Sequence, residues 1–128
     1  MIDWTQIRFF KVNEFLEPQK LRPEMIHALD ALRLRFGRSL IVTSSYRAAI
    51  GTDPSAHNMA ADGFYSGIDL TTQAALARAN KKIRGSEMWA LCVIAQELGF
   101  RRIGIYPKHI HLDMEPTFPS PALWGDKD

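Results

Sequence analysis

The sequence predicts an α+β domain in which helices pack on one side of a small, largely antiparallel sheet. Two long stretches have the 3.6-residue spacing of apolar side chains that is typical of amphipathic helices, and four short β-branched runs are separated by turn residues. With 128 residues, 46% of them hydrophobic, the chain fits one globular domain that needs no covalent cross-links. We therefore expect a single domain over residues 1–128, with an N-terminal arm over about 1–22 and an extended C-terminal tail over about 115–128.

The predicted helices have recognisable start and stop residues. Pro23 and Glu24 begin the first helix, and Gly37 ends it. An Ala-rich stretch over residues 71–83 predicts another. A third ends at Gly99. The apolar stripe of this last helix consists of Met88, Leu91, Cys92, Ala95 and Leu98.

The predicted strands cover residues 40–44, 67–70, 102–106 and 109–114. A polar loop rich in turn residues, 45–66, joins the first two strands, and loops of this length in compact domains are usually functional or disordered. This loop contains His57. The proline-containing tail predicts an extended surface segment.

Composition and charge argue against several function classes. A net charge of +2, from 16 basic and 14 acidic residues, lacks the dense basic excess of a nucleic-acid-binding domain. Cys92 is the only cysteine, so any metal must be held by histidines and carboxylates. Because neither a membrane span nor a signal peptide is evident, we expect a soluble cytoplasmic protein, or one whose signal has been removed. We also expect a monomer.

The last predicted strand carries the most informative residues. Alternate side chains of a strand share a face, so His109, His111 and Asp113 point one way and the intervening apolar residues point the other. A half-exposed edge strand with a polar outer face would explain the same pattern. A catalytic zinc usually has three protein ligands, and His57 and Asp69 offer the other two.

Four segments occur in the order typical of one family of zinc peptidases. They are Ser44-Ser45-Tyr46-Arg47, Ser55-Ala56-His57, Gly67-Ile68-Asp69 and His109-Ile110-His111-Leu112-Asp113. In these segments the chain resembles the D-alanyl-D-alanine carboxypeptidases, the related dipeptidases and the phage L-alanyl-D-glutamate endopeptidases, whose fold is similar to that of the hedgehog signalling domain. The resemblance covers roughly residues 24–114.

The resemblance implies a hedgehog/DD-peptidase-like fold and a zinc centre whose ligands are His57, Asp69 and His111. It implies that Arg47 contacts the substrate's carboxylate or the developing oxyanion, tasks that suit its planar guanidinium. The implied substrate is a peptide of bacterial peptidoglycan, cut by a carboxypeptidase or an endopeptidase. A chain without an export signal would act at the cell wall as a phage lysin or as a virion component.

The chain departs from the family pattern at two positions. Asp69 follows His57 by twelve residues, whereas the family places its carboxylate ligand seven residues after its first histidine ligand. Asp62 is the residue that lies seven positions before Asp69. Either the loop has a five-residue insertion or Asp62 replaces the histidine. The second departure is Lys108, at a position where much of the family has a glutamate general base.

Two candidates remain for the proton transfer that peptide hydrolysis needs, His109 and Asp113. Asp113 could equally be the group that orients a ligand imidazole. Lys108 also leaves open a zinc-binding module without hydrolytic activity. A metal-free interaction domain with incidental histidines is the remaining alternative.

Overall fold

The computed structural model describes residues 1–48 and 55–125, and in this part of the chain it has three α-helices and a five-stranded mixed sheet. The elements are α1 (Pro23–Phe36), β1 (Leu40–Ser44), β2 (Ile68–Thr72), α2 (Gln73–Leu76), α3 (Gly85–Glu97), β3 (Arg102–Ile105), β4 (Ile110–Asp113) and β5 (Ala122–Gly125). Three 3-10 turns, Trp4–Gln6, Val12–Glu14 and Pro18–Lys20, precede α1. Positions 49–54 of the predicted loop and 126–128 of the predicted tail lie outside the described residues.

The strand order is β1-β2-β4-β3-β5, which confirms the predicted α+β class. The pairs β1–β2, β2–β4 and β4–β3 are antiparallel, and β5 runs parallel to β3. The tail therefore contributes an edge strand to the sheet, paired from Arg102 with Ala122 to Ile105 with Gly125, and is more than the surface segment that its prolines predict.

The helices and one face of the sheet form the hydrophobic core. α1 begins at Pro23 and is followed by Gly37 in the left-handed conformation at φ 76°, as the sequence predicts. The two long helices bury an apolar stripe each: Met25, Ile26, Leu29, Leu32 and Phe36 in α1, and Met88, Leu91, Cys92 and Ala95 in α3. They pack in one cluster with the inward residues of β2 and β4, Ile68, Leu70, Ile110 and Leu112. No helix among the described residues is long and apolar enough to cross a membrane.

The predicted helix over residues 71–83 is wrong in both extent and start. Thr71 and Thr72 belong to β2, and α2 has only four residues. The Thr72 hydroxyl accepts a hydrogen bond from the Ala75 backbone at 2.9 Å and so caps the short helix. Beyond it, Arg78 donates to the Lys82 carbonyl and to Glu87 of α3, each at 2.8 Å. These contacts outweigh the helix propensity of the alanines.

Candidate metal centre

The polar face of β2 and β4 carries the histidine and carboxylate pair that the sequence predicts. Asp69 and His111 are direct cross-strand partners, so the sheet register itself places their side chains together. His57 reaches them from the loop that precedes β2. All three residues are buried, with exposed fractions of 8% for Asp69, 8% for His111 and 2% for His57.

Three ligand atoms converge at this point. His57 Nε2 lies 3.2 Å from both Asp69 Oδ1 and His111 Nδ1, and His111 Nδ1 lies 2.8 Å from Asp69 Oδ1. Ligand atoms about 2.0–2.1 Å from a tetrahedral metal ion lie about 3.4 Å apart, so these separations are close to those of three corners of such a site. His57, Asp69 and His111 can therefore hold a metal ion.

In each histidine, the ring nitrogen that points away from the cluster has its own hydrogen-bond acceptor. His57 Nδ1 lies 2.6 Å from the Ser45 carbonyl oxygen, and His111 Nε2 lies 2.7 Å from Asp113 Oδ2. Since a carbonyl and a carboxylate only accept, these nitrogens must donate, which leaves the neutral rings with lone pairs at His57 Nε2 and His111 Nδ1. Both lone pairs and the Asp69 oxygen thus face one another.

Three mutually facing acceptors repel one another unless a cation or an extra proton lies between them. In the absence of an ion, a proton on either histidine can take its place between the acceptors. Burial alone would raise the pKa of Asp69, but hydrogen bonds from His111 and His57 in such protonated forms hold it below its usual range. Burial alone would lower the pKa of His111, but hydrogen bonds to Asp113 and Asp69 raise it. The cluster therefore favours positive charge at its centre.

The backbone around Gly67 fixes the position of His57. Ser66 and Gly67 both donate to the Ala56 carbonyl, at 3.2 and 2.7 Å, and Arg47 donates to the His57 carbonyl at 2.9 Å. A Cβ atom at Gly67 would lie 2.6 Å from the His57 nitrogen and 2.7 Å from the Ala56 carbonyl carbon. Only glycine allows this close approach of the loop to β2.

Asp113 lies behind His111, on the side away from the His57–Asp69–His111 cluster. Its side chain is fully buried, Oδ2 faces His111, and Oδ1 accepts from Arg102 Nε at 2.8 Å and from the Glu115 backbone at 3.0 Å. Burial alone would raise the pKa of Asp113, but the hydrogen bond from His111 contributes most to lowering it. Of the two roles left open for Asp113, this geometry favours the orientation of His111 over proton transfer.

His109 lies at the rim of the same cluster. Its Nε2 is 3.7 Å from Asp69 Oδ2, and its ring stacks on Tyr106 with centroids 4.4 Å apart. The side chain is 31% exposed, and burial is the main cause that lowers its pKa. His109 therefore has what a proton carrier needs: solvent access, proximity to the cluster and a neutral ring near pH 7.

The other predicted site residues have different surroundings. Asp62 is exposed and forms a two-pronged ion pair with Arg22, at 2.7 and 3.2 Å, so the structure brings His57 and not Asp62 to the cluster. Arg47 is exposed, and its charge is a minor cause that lowers the pKa of His109. Lys108 is exposed as well.

Sequence reasoning missed Trp124, which lies beside the His57–Asp69–His111 cluster. Its ring centroid is 5.5 Å from that of His111, and its Nε1 donates to the Tyr106 hydroxyl at 2.9 Å. It fits because Gly104 has no side chain; a Cβ there would lie 2.7 Å from the indole ring. The glycine within a predicted strand was the available signal, since it often marks a close approach of another group.

Comparison with known proteins gives no family assignment. No protein-family model, curated protein or solved structure matches the chain significantly. The resemblance to zinc peptidases and the hedgehog/DD-peptidase-like fold therefore stay predictions. The site is defined by its own geometry, a buried group of two histidines and a carboxylate that can hold a metal ion.

Proposed function

We propose that this protein is a zinc-dependent peptidase that hydrolyses an amide bond in the peptides of bacterial peptidoglycan. The observation that carries the proposal is the convergence of His57 Nε2, Asp69 Oδ1 and His111 Nδ1, with both histidine N–H groups directed to other acceptors. This is the arrangement that metal-binding histidines adopt, because the outer hydrogen bond sets the tautomer that exposes the ligating lone pair.

The donor set favours zinc over magnesium and calcium. Two imidazoles and one carboxylate are borderline ligands that suit zinc, whereas magnesium and calcium prefer sites built of oxygen atoms alone. Three protein ligands leave one position for water or substrate, as in catalytic zinc sites. A bound zinc ion supplies Lewis acidity, which polarises a carbonyl group and lowers the pKa of water to about 7.

The remaining residues have distinct roles in the proposed reaction. His109 accepts a proton from the attacking water and delivers it to the leaving amine, since its depressed pKa keeps it neutral near pH 7. Asp113 is a positioning residue that holds His111. Arg47, exposed beside the loop of His57, binds the acidic end of the peptide.

The choice of substrate rests on the family resemblance rather than on the site itself. A zinc centre with a basic residue beside it suits a peptide that carries a free carboxylate, which peptidoglycan stem peptides have. The proposal includes a phage lysin or virion-associated enzyme as the biological setting.

Defined muropeptides incubated with the purified protein test the proposal, with mass spectrometry of the products. Parallel samples are treated with chelator, restored with zinc, or carry His111→Ala. The matched control is His27→Ala, which removes an exposed histidine of α1. We expect cleavage that is lost with chelator and with His111→Ala and is retained by the control, and the fragment masses identify the bond.

A second candidate is a zinc-binding module without hydrolytic activity. It is favoured by exposed Lys108 at the position of the family's glutamate, which leaves His109 to carry the proton transfer. The same experiment separates the two, because a non-catalytic module holds zinc stoichiometrically and leaves every muropeptide intact.

A further inference from the structure

Arg102 has contacts that the proposed reaction does not use. It lies directly opposite Asp113 in the β3–β4 pair, and its Nε donates to Asp113 Oδ1 at 2.8 Å. The side chains of Arg102 and Asp113 are 13% and 0% exposed, so this ion pair is largely screened from water. Asp113 Oδ2 in turn faces His111 Nε2 at 2.7 Å. A continuous chain of hydrogen bonds thus runs from Arg102 to a metal-ligand ring.

The C-terminal tail holds the guanidinium of Arg102. One terminal nitrogen donates to the Pro119 carbonyl at 2.5 Å. The guanidinium carbon lies 5.0 Å from the ring centroid of Phe118 and 4.9 Å from that of Trp124, close enough for cation–π attraction to both. Three tail residues therefore hold the Arg102 guanidinium, which in turn holds the Asp113 carboxylate.

We propose that Arg102 is a positioning residue of the metal centre and that the tail, through Arg102, sets the affinity of that centre for its ion. The inference rests on the metal site of the proposed function. A guanidinium locked against Oδ1 leaves Oδ2 of Asp113 aimed at His111, and the Nδ1 lone pair of the ring then points to the position that an ion would share with Asp69 and His57. Without Arg102, Oδ1 of the buried carboxylate loses its charged partner and keeps only the Glu115 backbone donor, so the direction of Oδ2 toward His111 is no longer fixed.

Zinc affinity of the full chain, measured by competition with a chromophoric chelator, tests this inference. We expect Arg102→Met to weaken zinc binding by about 10- to 100-fold, the range for loss of an outer-shell partner. Methionine keeps most of the apolar stem of the arginine. The matched control is Arg101→Met, which removes the same charge from an exposed neighbouring position and should leave the affinity unchanged.

A spectroscopic readout separates positioning from a general loss of stability. In zinc-loaded wild-type protein the Nε2 proton of His111, held against Asp113, should give a downfield, exchange-protected NMR signal. At saturating zinc, Arg102→Met should shift or broaden this signal and Arg101→Met should not. Arg102→Lys keeps the charge but not the planar fork, and we expect it to restore only part of the affinity.

The outcomes distinguish this inference from the proposed function. A wild-type protein that binds no zinc overturns both, whereas zinc binding without peptide cleavage overturns only the peptidase. Equal zinc affinity of the Arg102→Met and Arg101→Met variants overturns the role of Arg102 alone. If Arg102→Met does not fold, Phe118→Ala replaces it, since it loosens the guanidinium but keeps the ion pair. A wild-type affinity in that variant then refutes the role of the tail.

Discussion

Replacing Gly67 by alanine should damage the metal centre without touching a ligand. The added Cβ would lie 2.6 Å from the His57 nitrogen, whereas ordinary contacts begin at about 3.4 Å, so the two segments must separate by about 0.8 Å. The nearest atoms all belong to the backbone and cannot rotate away. Binding sites tolerate displacements of about 0.5 Å. His57 should therefore leave its ligating position.

We expect Gly67→Ala to lower zinc affinity by about tenfold or more. Overpacking of this kind costs about 1–3 kcal/mol of unfolding free energy, and a domain of 128 residues has an unfolding entropy of about 0.27 kcal/mol/K. The melting temperature of the metal-free protein should therefore fall by about 4–11 °C. Chelator competition and differential scanning calorimetry measure the two effects.

The matched control is Gly85→Ala, at the start of α3, where an added Cβ meets no atom within 4 Å. This variant should bind zinc as the wild type does. Gly67→Ala with wild-type zinc affinity would refute the reasoning, because the loop would then have absorbed the displacement without moving His57.

Three further predictions concern the ion, the proton carrier and a buried tyrosine. Zinc at about 100 times its dissociation constant should stabilise the protein by about 2.7 kcal/mol. Its melting temperature in calorimetry should then be about 10 °C higher than that of the chelator-treated sample, and His111→Ala should abolish this difference. His109→Gln should lower kcat on muropeptides by about 10²- to 10⁴-fold while chelator competition shows unchanged zinc affinity; an unchanged kcat would exclude His109 as the proton carrier. Burial raises the pKa of Tyr65 to about 12, above its usual value of about 10. The unfolded chain therefore loses this proton first, so the shift contributes roughly 2–3 kcal/mol to the free energy of unfolding below pH 10, and this contribution is lost as the pH rises toward 12. Denaturant unfolding over this pH range should show a steeper loss of stability in the wild type than in Tyr65→Phe, and parallel curves would contradict the assignment.

The period-2 pattern of β4 predicts which of its side chains share the polar face of the strand. His111 and Asp113 share the polar face of the strand, and the register of β2 against β4 places Asp69 opposite His111. The helix boundaries at Pro23 and Gly37 also follow from local chemistry, since proline suits the first turn and glycine the left-handed residue after the last. The shared face and the helix boundaries depend on neighbours along the chain, whereas the pairing of Asp69 with His111 depends on the register between two strands.

Other features depend on contacts between segments that are distant along the chain. The parallel pairing of β5 with β3 joins residues about twenty positions apart, in a tail whose prolines indicate irregular structure. The face of His111 is set by β4, but which of its nitrogens meets the cluster depends on Asp113, Arg102 and the tail together. A sequence pattern reports which side chains share a face, not how a ring is turned on it.

The three ligands differ in how firmly the fold holds them, and this should govern how fast an ion enters and leaves. Asp69 and His111 are paired residues of central strands, where backbone opening requires disruption of the whole sheet. His57 lies in a loop held by a few backbone hydrogen bonds. An ion would thus leave through local opening of the His57 segment, which makes exchange much faster than unfolding. The sheet would keep Asp69 and His111 in place while the loop that carries His57 opens and closes.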